Sequence, residues 1–359
     1  AAVTQRVYDG YETLTTDPTS ARPPKATIAG IVDWIAGRAA ADPAFSAGNR
    51  TPQLPGPAEG LLGDGFVERP IRFGPDGRLF GVLCEPLGPA AREPIIFVNA
   101  GRDYHIGWAR VSVSQARAFA RRGVASLRFD ASSVGDSGIA ADGPEEILYS
   151  QAQIDDVRLA IDAMHARGFD APVLIGRCSG AYAAFHAAVV DARIRRLVIV
   201  NNERFVWDPD ESVEDAIRYA HRSAGDLGAT LARKDGLRRL LTGKLRVGPA
   251  GRYLIWRYRK RLSVKLAPVL GRLTKHGRLH HQCHRHFATL AARNVQLSLL
   301  YADGDVGLAE LETYFGEAGK GLSAYPNASL TMLADADHNF THLAAGRRLL
   351  DALMRIVAP

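Results

Sequence analysis

The chain is poor in sulfur: three cysteines and three methionines stand among 359 residues. No two cysteines share a CxxC spacing, so a disulfide framework is excluded and each thiol must be read by itself. No apolar run approaches the ~18 residues that a bilayer span requires. The first 30 residues also lack a charged-then-apolar leader pattern, and together these absences predict a cytoplasmic protein. Hydrophobic residues at 47% and charged residues at 23% are globular values, which excludes disordered, collagen-like and coiled-coil chains. The length sets a prior of two domains, although single α/β domains of about 250 residues are routine. The net charge of +7 is unevenly placed: residues 236–293 hold 15 Lys or Arg and no Asp or Glu, leaving 30 basic against 38 acidic residues elsewhere.

Residues 1–64 are rich in Pro, Gly and Ala, and the breakers Pro23-Pro24 and Leu54-Pro55-Gly56-Pro57 bracket one predicted helix. Ile28, Ile31, Val32 and Ile35 form its stripe behind Thr27 as N-cap, so this segment reads as an arm packed on the body. Val67–Phe73 and Leu79–Cys84 read as a hairpin around Gly74-Pro75-Asp76-Gly77. Short apolar runs at 95–99, 124–129, 173–175, 197–200, 295–301 and 329–333 then alternate with helical periods at 111–122, 154–167, 179–190 and 343–357. Strands alternating with helices predict a doubly wound, mostly parallel sheet whose chemistry lies at its carboxyl edge. The core is expected over 65–201 and 294–359. Residues 202–293 are too long for an ordinary crossover and predict a large inserted helical lid.

The run Val173-Leu174-Ile175 leads into Gly176-Arg177-Cys178-Ser179-Gly180 and then a helix, the strand, tight turn and helix of a nucleophile elbow. Such a turn demands very small residues two before and two after its centre. Gly176 and Gly180 meet that demand for Cys178. Centring the turn on Ser179 would put Arg177 at a crowded position. The following helix N-terminus favours a thiolate. A buried structural cysteine is the competing reading; Cys84 and Cys283 lack the setting and are expected to be inert.

A thiol nucleophile needs a base, and in this chain order the acid and the histidine follow it. Asp305 comes after the run ending at Tyr301, and His338 lies between the last strand and the last helix. Asp303 is the rival acid, and Asp337 reads as a turn or cap residue. The oxyanion hole needs one backbone donor after the nucleophile, Ser179, and one from the loop after an early strand, where Gly101 permits close approach and Arg102 supplies the N–H. His105 either touches substrate or braces that loop.

From Val67 to the C-terminus this pattern resembles the α/β-hydrolase superfamily, with Cys178, Asp305 and His338 in the order of its triad. Asp130-Ala131-Ser132-Ser133-Val134-Gly135-Asp136-Ser137 is similar to the family's Asp-x-x-Gly-x-Gly-x-Ser loop, with Ser133 at the first Gly. Asn99-Ala100-Gly101 stands where many members have His-Gly. Cysteine for serine is the larger departure. With the long lid and the alanine- and arginine-rich composition, it looks like the natural-product release enzymes that include the tetramate-forming Dieckmann cyclases. That resemblance implies transfer of an acyl chain from a thioester, on an acidic carrier protein, to Cys178, and release by intramolecular cyclisation, with His338 deprotonating the carbon between two carbonyls and no cofactor.

Within the lid, Leu254, Ile255, Tyr258, Leu262, Leu266, Val269, Leu270 and Leu273 form a stripe opposite Arg257, Arg259, Lys260, Arg261 and Lys265. A solvated lid face, a carrier-docking face and a membrane surface all fit this basic amphipathic pattern, whereas nucleic acid lacks an accompanying motif. His276, His280, His281, Cys283, His284 and His286 invite a metal reading, which the surrounding positive charge opposes, and no metal is expected. Three classes remain open: a cysteine acyltransferase or cyclase, a plain thioesterase or dienelactone-type hydrolase, and a non-catalytic binding protein on a hydrolase scaffold.

Overall fold

The computed structural model describes residues 24–41, 60–91, 93–139, 146–213 and 274–357. The chain divides into two compact units, Ala1–Ala58 and Glu59–Pro359. In the first, helix α1 (Lys25–Ala41) starts directly after the Pro23-Pro24 breaker. The Ile28 N–H donates to the Pro24 carbonyl at 2.9 Å, so Thr27 sits inside the first turn and not at the N-cap.

The second unit is a nine-stranded sheet in the order β1-β2-β3-β5-β4-β6-β7-β8-β9. Its strands are β1 (Leu61–Gly63), β2 (Phe66–Phe73), β3 (Leu79–Pro86), β4 (Ile95–Val98), β5 (Ser126–Phe129), β6 (Val173–Arg177), β7 (Arg196–Val200), β8 (Gln296–Ala302) and β9 (Ala328–Leu333). The first three strands join antiparallel, with β3 against β5, and all later pairings are parallel. Leu61–Gly63, read from sequence as part of the arm, pairs with β2 and so belongs to the sheet.

Residues of the parallel strands alternate between two buried faces, as the two-residue period of a strand requires. Ile96, Leu174, Leu197, Ile199, Leu297, Leu299 and Tyr301 share one core with α3 (Gln151–His165) and α4 (Ser179–Val190). Ile95, Phe97, Val173, Ile175, Val198, Val200 and Leu300 face the other, with α2 (Val111–Ala120) and α7 (Leu343–Val357). Each such side chain contributes roughly 1.5–3 kcal/mol by leaving water. Because both faces are covered, these strands read as unbroken apolar runs.

Of the expected lid, residues 214–273 lie outside the described residues, and with them the basic stripe from Leu254 to Leu273. The last part of that interval is not lid. Helix α5 (Lys275–Ala292) forms the return from β7 to β8, capped by Thr274, whose hydroxyl accepts the Gly277 N–H at 3.0 Å. Leu279, Cys283, Phe287 and Leu290 bury its apolar stripe in the first core. A polar-looking, His-rich sequence hides this stripe, which is why the sequence pattern groups this core helix with the lid. A short helix α6 (Leu308–Phe315) between β8 and β9 was also not anticipated. Among the described residues no helix is long and apolar enough to cross a membrane.

One buried ion cluster ties the antiparallel strands to the parallel part. Glu68 on β2 accepts from Arg117 on α2 at 2.6 Å and from Arg128 on β5 at 2.8 Å. Burial opposes ionisation of Glu68, but the two arginine hydrogen bonds and charges hold its carboxyl below the ordinary range. Arg128 is 4% exposed. Removing its partner would strand a buried cation, so Glu68→Ala should destabilise the fold by about 3–5 kcal/mol in urea unfolding; a loss within error of zero would show that the cluster holds nothing together.

Candidate active site

β6 ends at the centre of the sheet, beside β4, and the chain turns there through Cys178 into α4. Cys178 has φ 53° and ψ −121°, a conformation that costs an L-residue roughly 1–3 kcal/mol and persists only where packing enforces it. The enforcement is visible at the two flanking glycines. A Cβ on Gly176 would fall 2.4 Å from the Gly180 carbonyl oxygen, and one on Gly180 would fall 2.3 Å from the Val98 carbonyl oxygen. Three backbone segments thus touch where the sequence pattern demanded glycine. The Cys178 N–H donates to the Val200 carbonyl at 3.0 Å, fixing the turn to β7 as well.

The residue after the nucleophile position, Ser179, is 2% exposed. Its hydroxyl accepts the Gly101 N–H at 2.7 Å and so docks the loop after β4 onto the elbow. Arg102 follows in the same turn, which is closed by the Asp103 N–H donating to the Ala100 carbonyl at 3.0 Å. The Arg102 guanidinium points elsewhere, to Glu146 at 2.5 Å. His105 lies on this loop with its backbone N–H on Asp130 at 2.5 Å and its Nδ1 3.0 Å from the same carboxylate. Its ring also meets Phe80 edge-on, so of its two readings the brace is the one these contacts describe.

On the far side of the elbow, His338 Nδ1 and Asp305 Oδ2 are 2.6 Å apart. Asp305 is buried, and its other oxygen accepts the Gly307 N–H at 2.7 Å. Asp303, the rival acid, is exposed, and Asp337 binds the Thr341 N–H and hydroxyl as a turn residue. The His338 loop is held by a residue that sequence reasoning missed: the Asn201 side chain donates to the His338 carbonyl at 2.8 Å and accepts the Ala302 N–H at 2.8 Å. Arg177, inside the elbow, donates to Asn339 at 2.6 Å and to Asp103 at 3.1 Å, bridging the histidine loop and the loop after β4.

A second missed residue is closer to the chemistry. Glu203 Oε1 lies 3.8 Å from Cys178 Sγ and 3.6 Å from His338 Nε2, and the residue is 7% exposed. The available signal was its place, a carboxylate in the polar run Asn201-Asn202-Glu203-Arg204 just beyond the carboxyl end of an apolar parallel strand. Its charge reverses one expectation. Burial and then the Glu203 carboxylate push the Cys178 thiol above its ordinary value of 9.0, against the opposing pull of His338 and Arg177. The N-terminus of helix α4 therefore does not bring the thiol below its ordinary value. His338 moves the other way: burial disfavours its charged form, but hydrogen bonds to Asp305 and Cys178 and the Cys178 and Glu203 charges push it up to about 11.

Cys178, Glu203 and His338 also bring three metal-ligating atoms within 4.8 Å of one another, as do His105, Asp130 and Asp136. In the second group Asp130 already receives the His105 and Asp136 backbone N–H groups. The histidine cluster read from the sequence lies on α5, where His284 and His280 are 3.2 Å apart through their Nε2 atoms. Their other contacts are the Tyr325 hydroxyl at 2.7 Å from His284 Nδ1 and the Tyr314 carbonyl at 3.2 Å from Nε2. Above the elbow, Tyr149 stacks on Trp207 with ring centres 4.4 Å apart and meets Tyr182 edge-on.

No protein-family model matches the sequence, and no curated protein is significantly similar to it. Among solved structures, an esterase from Pyrococcus furiosus matches over 83% of this chain and 96% of its own, with 12% identity and a TM-score of 0.50. An alpha-beta serine hydrolase homologue from Coxiella burnetii matches over 83% and 99%, with 14% identity and a TM-score of 0.46. The sheet order and the first of these likenesses show an α/β-hydrolase fold.

The thiol's environment has a measurable consequence. Cys84 and Cys283 are fully buried, and burial pushes Cys84 up to about 12, so iodoacetamide should modify Cys178 alone in the native protein. Its alkylation rate should rise with pH to a midpoint above 9.0, because the thiolate is the reactive form. A midpoint near 7 would show that the site stabilises the thiolate.

Proposed function

We propose that the protein is a cysteine-dependent acyl-transfer enzyme that accepts an acyl group from an ester or thioester onto Cys178. The observation that supports this most directly is the strained elbow carrying a thiol, with the Asp305–His338 pair on one side and the Ser179-anchored loop on the other. In this reading His338 Nε2 takes the Cys178 thiol proton as sulfur attacks the carbonyl carbon, and the developing oxyanion is met by the backbone N–H groups of Ser179 and Arg102. The Gly101 N–H is committed to the Ser179 hydroxyl, which leaves Arg102 as the loop's donor. The imidazolium of His338 then donates its Nε2 proton to the departing thiolate or alkoxide. The neutral ring afterwards takes a proton from the nucleophile that releases the acyl group and gives it to the Cys178 sulfur as the C–S bond breaks. Asp305 orients the ring and stabilises its cation throughout.

A thioester donor suits a cysteine acceptor, because exchange of one thioester for another is nearly thermoneutral. Release by an internal carbon nucleophile, the Dieckmann route, is the form we favour on the resemblance to tetramate-forming enzymes; hydrolysis by water uses the same groups. The excess positive charge of residues 236–293 supports delivery of the chain by an acidic carrier protein.

Incubation with a small acyl thioester, followed by peptide mass spectrometry, should place the acyl mass on Cys178. Cys178→Ala should fold normally, carry no adduct and have no turnover; retained turnover would sink the proposal. Asp305→Asn should lower kcat by roughly 10²–10⁴, whereas Asp303→Asn should leave it nearly unchanged, and the reverse order would reassign the acid. For the carrier, kcat/KM on a carrier-bound substrate should fall as ionic strength rises while the same acyl chain on a small thiol is unaffected. Equal salt dependence for both substrates would remove the carrier from the proposal.

A further inference from the structure

Helix α5 carries a cluster that the chemistry at Cys178 does not use. Within it Cys283 faces the first core, and His286 packs on Phe185 and His186. His280 and His284, one turn apart, bring their Nε2 atoms to 3.2 Å. Their ring centres are 4.3 Å apart with the planes inclined by 44°, too close for two nitrogens meeting in line, so both address a point beside the line that joins them. Two Zn–N bonds of about 2.0–2.1 Å at a tetrahedral angle place their nitrogens roughly 3.3 Å apart, close to the separation found here. A third donor comes from another element. The Tyr314 carbonyl oxygen lies 3.2 Å from His284 Nε2. Tyr314 is in the last turn of α6, where carbonyls lack intrahelical partners and carry the negative end of the helix dipole, which favours a cation.

The outer contacts also suit a metal-bound imidazole, which hands its other ring proton to a nearby acceptor. The Tyr325 oxygen stands 2.7 Å from His284 Nδ1, and its hydroxyl donates to the His284 carbonyl at 3.4 Å. The many basic residues of this part of the sequence oppose a metal only where they reach it. Among the described residues, no Lys or Arg bears on either ring; the charges that do are those of His281 and, on His280, of His284. Burial pushes His280 down to about 4 and lowers His284 as well, so both rings are neutral at pH 7. We propose that His280, His284 and the Tyr314 carbonyl form a binding site for one divalent transition-metal ion, Zn²⁺ by its suitability to imidazole, with water completing the shell. The neutral rings bind through Nε2 and keep their protons on Nδ1, so binding releases no proton. The ion clasps α5 to the C-terminal end of α6, the helix that starts at Leu308 just after Asp305. This site is independent of the role assigned to Cys178.

Cys178, Glu203 and His338 offer three ligand atoms of their own, so the test uses the full chain with Cys178→Ala and reads bound metal, not turnover. After treatment with EDTA and gel filtration, calorimetric titration with ZnCl₂ should show a saturable site of one equivalent. His280→Ala and His284→Ala should each weaken it by more than the roughly 10- to 100-fold typical of an outer-shell loss, and Tyr325→Phe should fall within that range. His281→Ala, one residue from the pair, should bind at least as tightly. Saturating Zn²⁺ should raise the thermal unfolding midpoint, and the rise should vanish in the double variant His280→Ala, His284→Ala. Protection of Cys84 and Cys283 from iodoacetamide reports that each variant is folded, and His284→Asn takes the place of His284→Ala if Cys283 becomes reactive. Affinity that neither histidine substitution changes would place the ion elsewhere and overturn the site. Absence of both binding heat and a midpoint shift in excess Zn²⁺ would reduce the pair to a hydrogen bond between two imidazoles.

Discussion

The geometry of the site depends on one close approach of backbones, where Gly176, Gly180 and the end of β4 meet beneath Cys178. Any Cβ at either glycine would overlap a carbonyl oxygen by far more than packing tolerates. That contact forces the left-handed conformation at Cys178 and lifts the thiol clear of the sheet edge. It also sets the distance at which the Ser179 hydroxyl can hold the loop after β4. The strain at one residue is thus supported by a single parallel sheet both of whose faces are buried.

Around that fixed point the electrostatics are set by four groups from four parts of the chain. Cys178 and His338 lie within reach of each other, and two carboxylates, Asp305 and Glu203, flank the imidazole on opposite nitrogens. Two anions around one ring hold its proton, while one of them beside sulfur discourages a second negative charge there. The positioning contacts of Asn201 and Arg177 join the loops that carry these groups, so a small displacement of one loop would be felt by all.

How much of this was legible in the sequence varies with the range of the physics involved. The helix over 179–190 and the helix over 343–357 were read to the residue because their periodicity and flanking turns are local. The sequence pattern groups α5 with the lid because its apolar stripe is hidden among histidines and arginines, and only its packing against Phe185 and Phe205 shows the stripe to be core. The direction in which the Cys178 thiol is pushed escapes the sequence for a related reason. A helix N-terminus can be seen in sequence, but a buried carboxylate brought from another strand end cannot.

By itself the sequence determined the alternation of elements, the residue at the centre of the elbow and the order in which Cys178, Asp305 and His338 follow one another along the chain. Those follow from local sterics: only glycine fits where backbones touch, and apolar runs of strand length must be buried. Tertiary structure alone decided that Glu203 stands beside sulfur and that Asn201 holds the histidine loop. The shifts at Cys178 and His338 come from burial and from the groups at positions 178, 203, 305 and 338, whose separations exist only once the sheet has brought its carboxyl ends together.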